Sequence, residues 1–102
     1  MIRRDFFFME LLIEKLDAGL YEWRAEPRGG GAVLEQGNGE SIEDCIRGAR
    51  SILGASDGVE LRYDSYCAGT FTGTEINENP ALYATKAGDL ARYFKAVEAS
   101  LD

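Results

Sequence analysis

The most regular pattern in the chain lies at its C-terminal end, where apolar residues recur at alternating intervals of four and three. Such spacing places the apolar side chains along one face of an α-helix. Asn79 and Pro80 precede the pattern as an N-cap residue and a first helical residue. The pattern predicts a helix of about 20 residues whose apolar face another element must cover. A helix beginning only after Gly88 is the alternative. The residues of the pattern are Tyr83, Ala87, Leu90, Phe94, Val97 and Leu101.

Two runs with period-two alternation supply strands for that helix to pack on. In residues 21–26 and 59–64, apolar or aromatic residues alternate with charged ones. Residues 6–16 form a further apolar run, which a short turn ending at Gly19 joins to the run at 21–26. As a helix, residues 6–16 would be apolar nearly all round. We predict a strand, because a hairpin then joins the two runs directly.

The remaining segments predict three more elements. Residues 32–36 are a short third strand that ends at Gly37-Asn38-Gly39. Ser41 opens a capped helix that ends at Gly54, with Cys45 on its apolar face. Residues 70–76 are a return strand after a turn at Cys67-Ala68-Gly69, and Gly73 is its weak point.

The element order is therefore β-β-β-α-β-β-α, which indicates an α+β fold. Because hairpins dominate, we expect a single antiparallel sheet of about five strands with two helices on one face. The 102 residues predict one domain, made of a β-β-β-α unit at 6–54 and a β-β-α unit at 58–102. Within it, Trp23 and Phe94 are expected to share one core.

Part of this pattern resembles a known family. Tyr21-Glu22-Trp23-Arg24, Gly31-Ala32-Val33-Leu34 and the run from Cys45 to Ile52 are similar to the second strand, third strand and helix of the YegP-like family of small uncharacterised domains. The resemblance covers about residues 6–54 and implies a β-β-β-α unit, tandem or paired into dimers, with no activity attached. A vaguer similarity to the HicB-like antitoxin domain rests on the residues before the helix.

Composition excludes several classes of function. The chain has no His, 11 Lys and Arg against 18 Asp and Glu, and a net charge of −7. The lack of His excludes Ser-His, Cys-His and zinc-His chemistry. The net charge argues against binding of nucleic acid, because phosphates are neutralised by clustered basic residues. We therefore expect no enzyme activity, no cofactor, no metal and no nucleic-acid partner.

Cysteine usage and hydropathy bear on the compartment. Cys45 and Cys67 are far apart in the sequence and are expected to be free thiols of a reducing compartment, which predicts a cytoplasmic protein. The apolar run near the N-terminus, at 6–13, is far shorter than the roughly 20 residues of a spanning helix, so no membrane partner is expected.

The candidate interaction residues are aromatic or acidic. Glu75 and Glu78 flank Asn77 and could hold a hard cation, but they lack the calcium-loop pattern, and solvated loop charge is favoured. Aromatic side chains could form a base-stacking platform, for which the chain is too acidic. Residues carried forward as interaction candidates are Trp23, Tyr66, Phe71, Glu75 and Glu78.

These observations predict a small non-catalytic protein-interaction or dimerisation module. The alternative is an acidic inhibitor, immunity protein or antitoxin that blocks a basic partner protein. The short third strand at 32–36 carries few defences against edge pairing. We therefore expect a homodimer, paired through a sheet edge or through the apolar helix face that ends at Leu101.

Overall fold

The computed structural model describes residues 6–101, which form an α+β fold in the predicted class. Three strands, two helices, two strands and two helices follow one another along the chain. The molecule is elongated and measures 55 × 28 × 26 Å. The strands are β1 (Phe8–Asp17), β2 (Leu20–Pro27), β3 (Glu35–Gly39), β4 (Gly58–Tyr63) and β5 (Tyr66–Phe71), and the helices are α1 (Ile42–Gly48), α2 (Arg50–Gly54), α3 (Gly73–Glu78) and α4 (Pro80–Ser100).

The first two strands form the hairpin that the alternating runs predict. Ile13 pairs with Trp23, and Leu11 pairs with Ala25, so the buried side chains of both strands lie on one face. Residues 6–16 therefore contribute a strand rather than a helix.

The expectation of a purely antiparallel sheet is wrong at its centre. The five strands lie in the order β3-β2-β1-β4-β5, and β1 pairs with β4 in parallel, Ile13 opposite Tyr63. The chain between β3 and β4 passes through α1 and α2 and returns to the end where β1 begins. A connection of that length permits a parallel pair, which no tight turn can. The sheet is therefore mixed.

The third strand lies three residues later than the predicted 32–36. Gly37, Asn38 and Gly39 are strand residues of β3 rather than the turn that closes it. Gly37 faces the indole of Trp23, and a Cβ there would lie 2.7 Å from Trp23 Nε1. Glycine is needed at this position because the Trp23 ring occupies the space of a side chain. As predicted, this short strand is an edge of the sheet.

The return strand also differs from the prediction of 70–76. The turn after β4 is at Asp64 and Ser65, which have φ values of 51° and 73°, as a two-residue hairpin turn requires. β5 then contains Cys67 and the predicted turn around it. The chain from Gly73 onward is helical, and Thr72 caps α3 by accepting a hydrogen bond from Glu75 N (3.0 Å).

The described residues contain four helices rather than two. The predicted helix at 41–54 is interrupted at Ala49, directly after Gly48, a poor helix former. α1 packs against α4, β2 and β3, whereas α2 packs against α3. α4 packs against β5, β4 and α1. It begins at Pro80, as predicted, and continues through Gly88 to Ser100.

The core lies between one face of the sheet and the helices. Trp23 is 4% exposed and belongs to it, whereas Phe94 is 38% exposed and does not, so the prediction of a shared core is wrong for Phe94. The buried apolar residues of the sheet are Met9, Leu11, Ile13, Trp23, Ala25, Val59, Leu61 and Tyr63. Those of the helices are Cys45, Ile46, Leu53, Ile76, Tyr83, Ala87 and Ala91, and Ala49, between α1 and α2, is buried with them.

Candidate interaction surfaces

The first half of α4 is fixed to the core by an aromatic contact. The Tyr83 ring lies 4.7 Å from the Phe71 ring, and Tyr83 Oη donates a hydrogen bond to Glu75 Oε2 (3.1 Å). Burial raises the pKa of Tyr83, and the Glu75 carboxylate raises it further. One and two turns later, Ala87 and Ala91 are buried. This half of the helix therefore has its apolar face covered.

The second half of α4 leaves the core. Every residue from Arg92 to Leu101 is exposed, although the apolar spacing continues without a break. Phe94 and Val97 are each 38% exposed and Leu101 is 78% exposed. With the half-buried Leu90, these residues form one continuous row, which we call the α4 stripe. In the described residues this row has no element covering its outer end.

Two polar contacts hold the exposed half in place at the β4–β5 turn. Lys95 Nζ donates a hydrogen bond to Asp64 Oδ2 (2.7 Å), and this contact raises the pKa of Lys95. The Glu98 carboxylate beside the Tyr66 hydroxyl raises the pKa of Tyr66. The Tyr66 ring itself stacks on Phe94, with centroids 5.7 Å apart. These contacts fix the position of the second half of α4 where it passes the β4–β5 turn.

A second exposed apolar element lies at the same end of the molecule. Residues 14–20, which we call the hairpin tip, extend β1 and β2 beyond Ile13, the last residue of β1 that pairs with β4, and all of them are exposed. Leu16 is 52% exposed and Leu20 is 44% exposed.

The direction of the strands places the hairpin tip and the α4 stripe together at this end. Contacts of α4 run from Phe71 at the end of β5 to Tyr66 at its start, so the helix runs antiparallel to β5. It therefore runs in the direction of β4 and β1. Both the helix and the hairpin continue past the β4–β5 turn at Asp64.

The opposite face of the sheet is open and carries rows of charge. Glu26, Glu10 and Glu60 lie side by side on β2, β1 and β4. A hydrogen bond between the carboxyl groups of Glu10 and Glu60 raises the pKa of Glu10, while Arg62 holds the pKa of Glu60 below its usual value. Arg24 lies 3.8 Å from Glu26 and Arg62 lies 3.2 Å from Glu60. Carboxylates and guanidinium groups thus alternate on this face.

The interaction residues predicted from the sequence are dispersed. Trp23 is buried and has no surface available to a partner. Phe71 and Glu75 meet through Tyr83 at one end of β5, whereas Tyr66 is at the other end, against Phe94. Glu75 and Glu78 lie on helix α3 rather than in a loop. Of the five residues, only Tyr66 adjoins the exposed end of α4.

Neither cysteine is in a disulfide, as expected. Cys45 is buried, and desolvation raises the pKa of its thiol to about 11, so the reactive thiolate is suppressed at neutral pH. Cys67 is exposed on β5, with its Sγ 3.6 Å from Glu60 Oε1. Arg62 lies opposite Cys67 in the β4–β5 pair, and its guanidinium donates a hydrogen bond to the same Glu60 carboxylate.

Clefts lie beside the helices. One of 190 Å³ between α1, α2 and α3 is lined by Ile46, Arg47, Arg50, Asn77 and Pro80. Two shallower clefts along α1, of 400 and 340 Å³, reach the size of small-ligand pockets, about 300–1,000 Å³, but are broadly open to solvent. Within residues 6–101, no group of three or more acidic or cysteine side chains is arranged to bind a metal ion. No helix in this part of the chain has the length and hydropathy needed to cross a bilayer.

Sequence reasoning identified the α4 stripe but missed the exposed Leu16, Leu20 and Tyr93. The sequence did contain a signal for Leu16 and Leu20, because both flank the turn of the first hairpin. A hairpin whose strands are longer than the neighbouring strand must extend beyond the end of that strand.

A scan against protein-family models finds no match for this chain, and no curated protein or solved structure matches it. The YegP-like and HicB-like resemblances stay predictions.

Proposed function

We propose that this chain is a non-catalytic protein-interaction module that self-associates through the α4 stripe. The observation that carries the proposal is the apolar row Phe94, Val97 and Leu101, which continues the spacing of the buried half of the helix but lies outside the core. Alternating spacings of four and three place apolar side chains on one face of a helix, which another surface covers. In the buried half the covering surface belongs to the chain itself, and in the exposed half we assign it to a second copy.

The proposed dimer is weak. The stripe extends over about three helical turns and so offers less than the roughly 800 Å² per partner of a standard interface. Contacts of that size are typical of transient association. We therefore expect a micromolar dissociation constant, with monomer and dimer exchanging rapidly.

The alternative of an acidic inhibitor of a basic partner has less support. Its signature is one contiguous acidic surface, which attracts a basic target over a long range. On the open sheet face the glutamates alternate with Arg24 and Arg62, each within salt-bridge distance of a carboxylate. The apolar stripe is the stronger of the two surface features.

Light scattering coupled to gel filtration tests the proposal across a wide range of concentrations. The wild type should rise from the monomer mass of 11.2 kDa towards twice that value as concentration increases. Val97→Glu places a charge in the stripe and should hold the mass at that of the monomer. Ala99→Glu is the matched control, since it adds the same charge in the same turn but away from the stripe, and it should dimerise like the wild type.

Two results would overturn the proposal. One is a wild type that stays monomeric at several hundred micromolar. The other is a dimer that Val97→Glu and Ala99→Glu weaken equally, because the association would then depend on net charge rather than on the stripe. Circular dichroism of both variants verifies that each is folded.

A further inference from the structure

The cleft between α1, α2 and α3 differs from the other clefts in the charge of its walls. Among the described residues, its lining includes two arginines, Arg47 and Arg50, and no carboxylate. By contrast, Glu43 lines both of the larger clefts along α1, and Glu22 lines a cleft at β3. The chain has 18 acidic and 11 basic residues, so most of its surface repels anions. An anion is repelled less at this cleft than at the other three.

Arg50 supplies unused hydrogen-bond donors to the cleft. Among the arginines of residues 6–101, it alone has neither a carboxylate nor an aromatic ring as a partner. Its guanidinium group therefore keeps its N–H donors available for a ligand. The backbone of Arg50 is held in place from α3, because Asn77 Nδ2 donates a hydrogen bond to the Arg50 carbonyl oxygen (3.0 Å).

Arg47 supplies a second guanidinium group, whose position is fixed. Its Nε and Nη2 atoms lie 2.9 and 2.8 Å from the same oxygen of Glu43, Oε2. This contact occupies one edge of the guanidinium group, and the edge formed by the two terminal nitrogens retains unused donors. Because Glu43 compensates the charge of Arg47, the uncompensated positive charge of the cleft is that of Arg50.

The remaining walls of the cleft are largely apolar, and the cleft is small. Ile46 is buried beneath it, and Pro80 is half-buried beside it. These two side chains would cover an apolar group carried by the anion. The cleft volume of 190 Å³ corresponds to about six water molecules at their share of liquid volume. It therefore accommodates a ligand of only a few atoms.

We propose that this cleft binds a small monocarboxylic acid. The carboxylate lies between the guanidinium groups of Arg50 and Arg47. The short alkyl chain lies on Ile46 and Pro80. A guanidinium group offers two parallel N–H donors that match the two oxygens of a carboxylate.

The charge of the cleft favours a carboxylate over a phosphate. A monoanion matches one uncompensated guanidinium group, whereas the second charge of a phosphate would stay unpaired on a chain of net charge −7. This binding is independent of self-association, because Pro80 and the α4 stripe lie at opposite ends of α4.

Butyrate is the probe, titrated into the labelled protein at constant ionic strength and followed by ¹H–¹⁵N NMR. It should produce saturable shifts at amides in residues 46–50 and 77–81. We expect a millimolar dissociation constant, which is typical of a ligand with so few atoms. Acetate should bind at least threefold more weakly, because it lacks most of the alkyl chain. Butylammonium, with the same chain and the opposite charge, should produce no saturable shifts.

Arg50→Gln is the test variant, and Lys86→Gln is the matched control. Both remove one positive charge from an exposed side chain, but Lys86 does not line the cleft. Arg50→Gln should raise the butyrate dissociation constant at least fivefold, through the loss of charge-assisted hydrogen bonds. Lys86→Gln should leave the constant unchanged. Circular dichroism verifies that both variants are folded.

Three results would overturn the assignment. The first is the absence of saturable butyrate shifts in the wild type at high millimolar concentration. The second is equal weakening by Arg50→Gln and Lys86→Gln, because binding would then depend on net charge rather than on the cleft. The third is tighter binding of inorganic phosphate than of butyrate at the same amides, which would exclude a carboxylate as the preferred ligand.

Discussion

The two halves of α4 carry the same apolar pattern in different surroundings. Residues 80–91 contain every buried residue of the helix, whereas residues 92–101 are exposed throughout. Tyr83 and Tyr93 illustrate the contrast, because one is 7% exposed and the other 63%. The helix is longer than the sheet edge it packs on, so its pattern continues after its own core has ended.

The difference teaches what periodicity can and cannot specify. A regular spacing identifies the side of a helix that is to be covered. It does not specify whether the covering surface belongs to the same chain. That depends on where the neighbouring strands end, and here they end at the turn formed by Asp64 and Ser65.

The largest expected effect contrasts the two tyrosines. Tyr83→Ala removes a buried ring and its hydrogen bond to Glu75 and should lower the free energy of unfolding by about 3–5 kcal/mol. That is a large share of the stability of a domain of this size. Tyr93→Ala should change it by less than about 0.5 kcal/mol. Urea denaturation at dilute, monomeric concentration measures both.

Equal losses for the two variants would contradict the division of α4 into a buried and an exposed half. A large loss for Tyr93→Ala that grows with protein concentration would instead report its contribution to self-association, since a dimer is stabilised by mass action.

The boundary between the two halves is expected at Phe94. Its ring is partly covered by the stacked ring of Tyr66. Phe94→Ala should therefore lower the free energy of unfolding by an intermediate amount, about 1 kcal/mol. Val97→Ala, one turn further on, should lower the free energy of unfolding of the monomer by only a small fraction of that amount. A loss for Phe94→Ala as large as that for Tyr83→Ala would extend the core beyond the end of the sheet.

Much of the fold follows from the sequence where interactions are local. The alternation in residues 21–26 specified β2 and its buried Trp23. Pro80 marked the start of α4, although the Asn79 side chain makes no capping hydrogen bond there. Non-local features did not follow. The pairing of β1 with β4 depends on the path of the chain over the sheet, which leaves no local pattern in either strand.

Glycines caused the errors in the bounds of β3 and β5, because a glycine in a sequence is ordinarily a sign of a turn. Gly37 is instead a strand residue that admits the Trp23 ring, and Gly73 opens a helix. A Cβ on Gly73 would lie 1.8 Å from the Leu53 carbonyl oxygen, so this glycine permits close packing of α3 on α2. At the candidate site, the sequence spacing predicted the apolar face that forms the α4 stripe, but it did not predict that this face is exposed.

Gly88 provides a stabilising test within the buried half. A Cβ there would lie 3.6 Å from Ile42 Cδ1 and 3.7 Å from Arg92 Nη1, which are ordinary contact distances. Since glycine is unfavourable inside a helix, Gly88→Ala should raise the free energy of unfolding by about 0.5–1 kcal/mol. Gly73→Ala is the contrasting variant and should be strongly destabilising. Thermal melts compare the two, and a loss of stability in Gly88→Ala would mean that α1 and α4 approach more closely than these distances imply.

The smallest expected effect concerns the contact that anchors the exposed half. The Lys95 side chain is 55% exposed, so its ion pair with Asp64 is screened by solvent, and Lys95→Ala should cost about 0.5 kcal/mol. Lys95→Arg retains the charge and is the control, with a smaller loss of stability.

Since Asp64 raises the pKa of Lys95, the folded state holds this proton more tightly than the unfolded state. The stability difference between the wild type and Lys95→Ala should thus be fully present below pH 10.5, the ordinary pKa of lysine, and disappear as the pH rises through the higher value of the folded state. A difference that persists at still higher pH, or in concentrated salt, would show that Lys95 acts through packing of its methylene groups rather than through its charge.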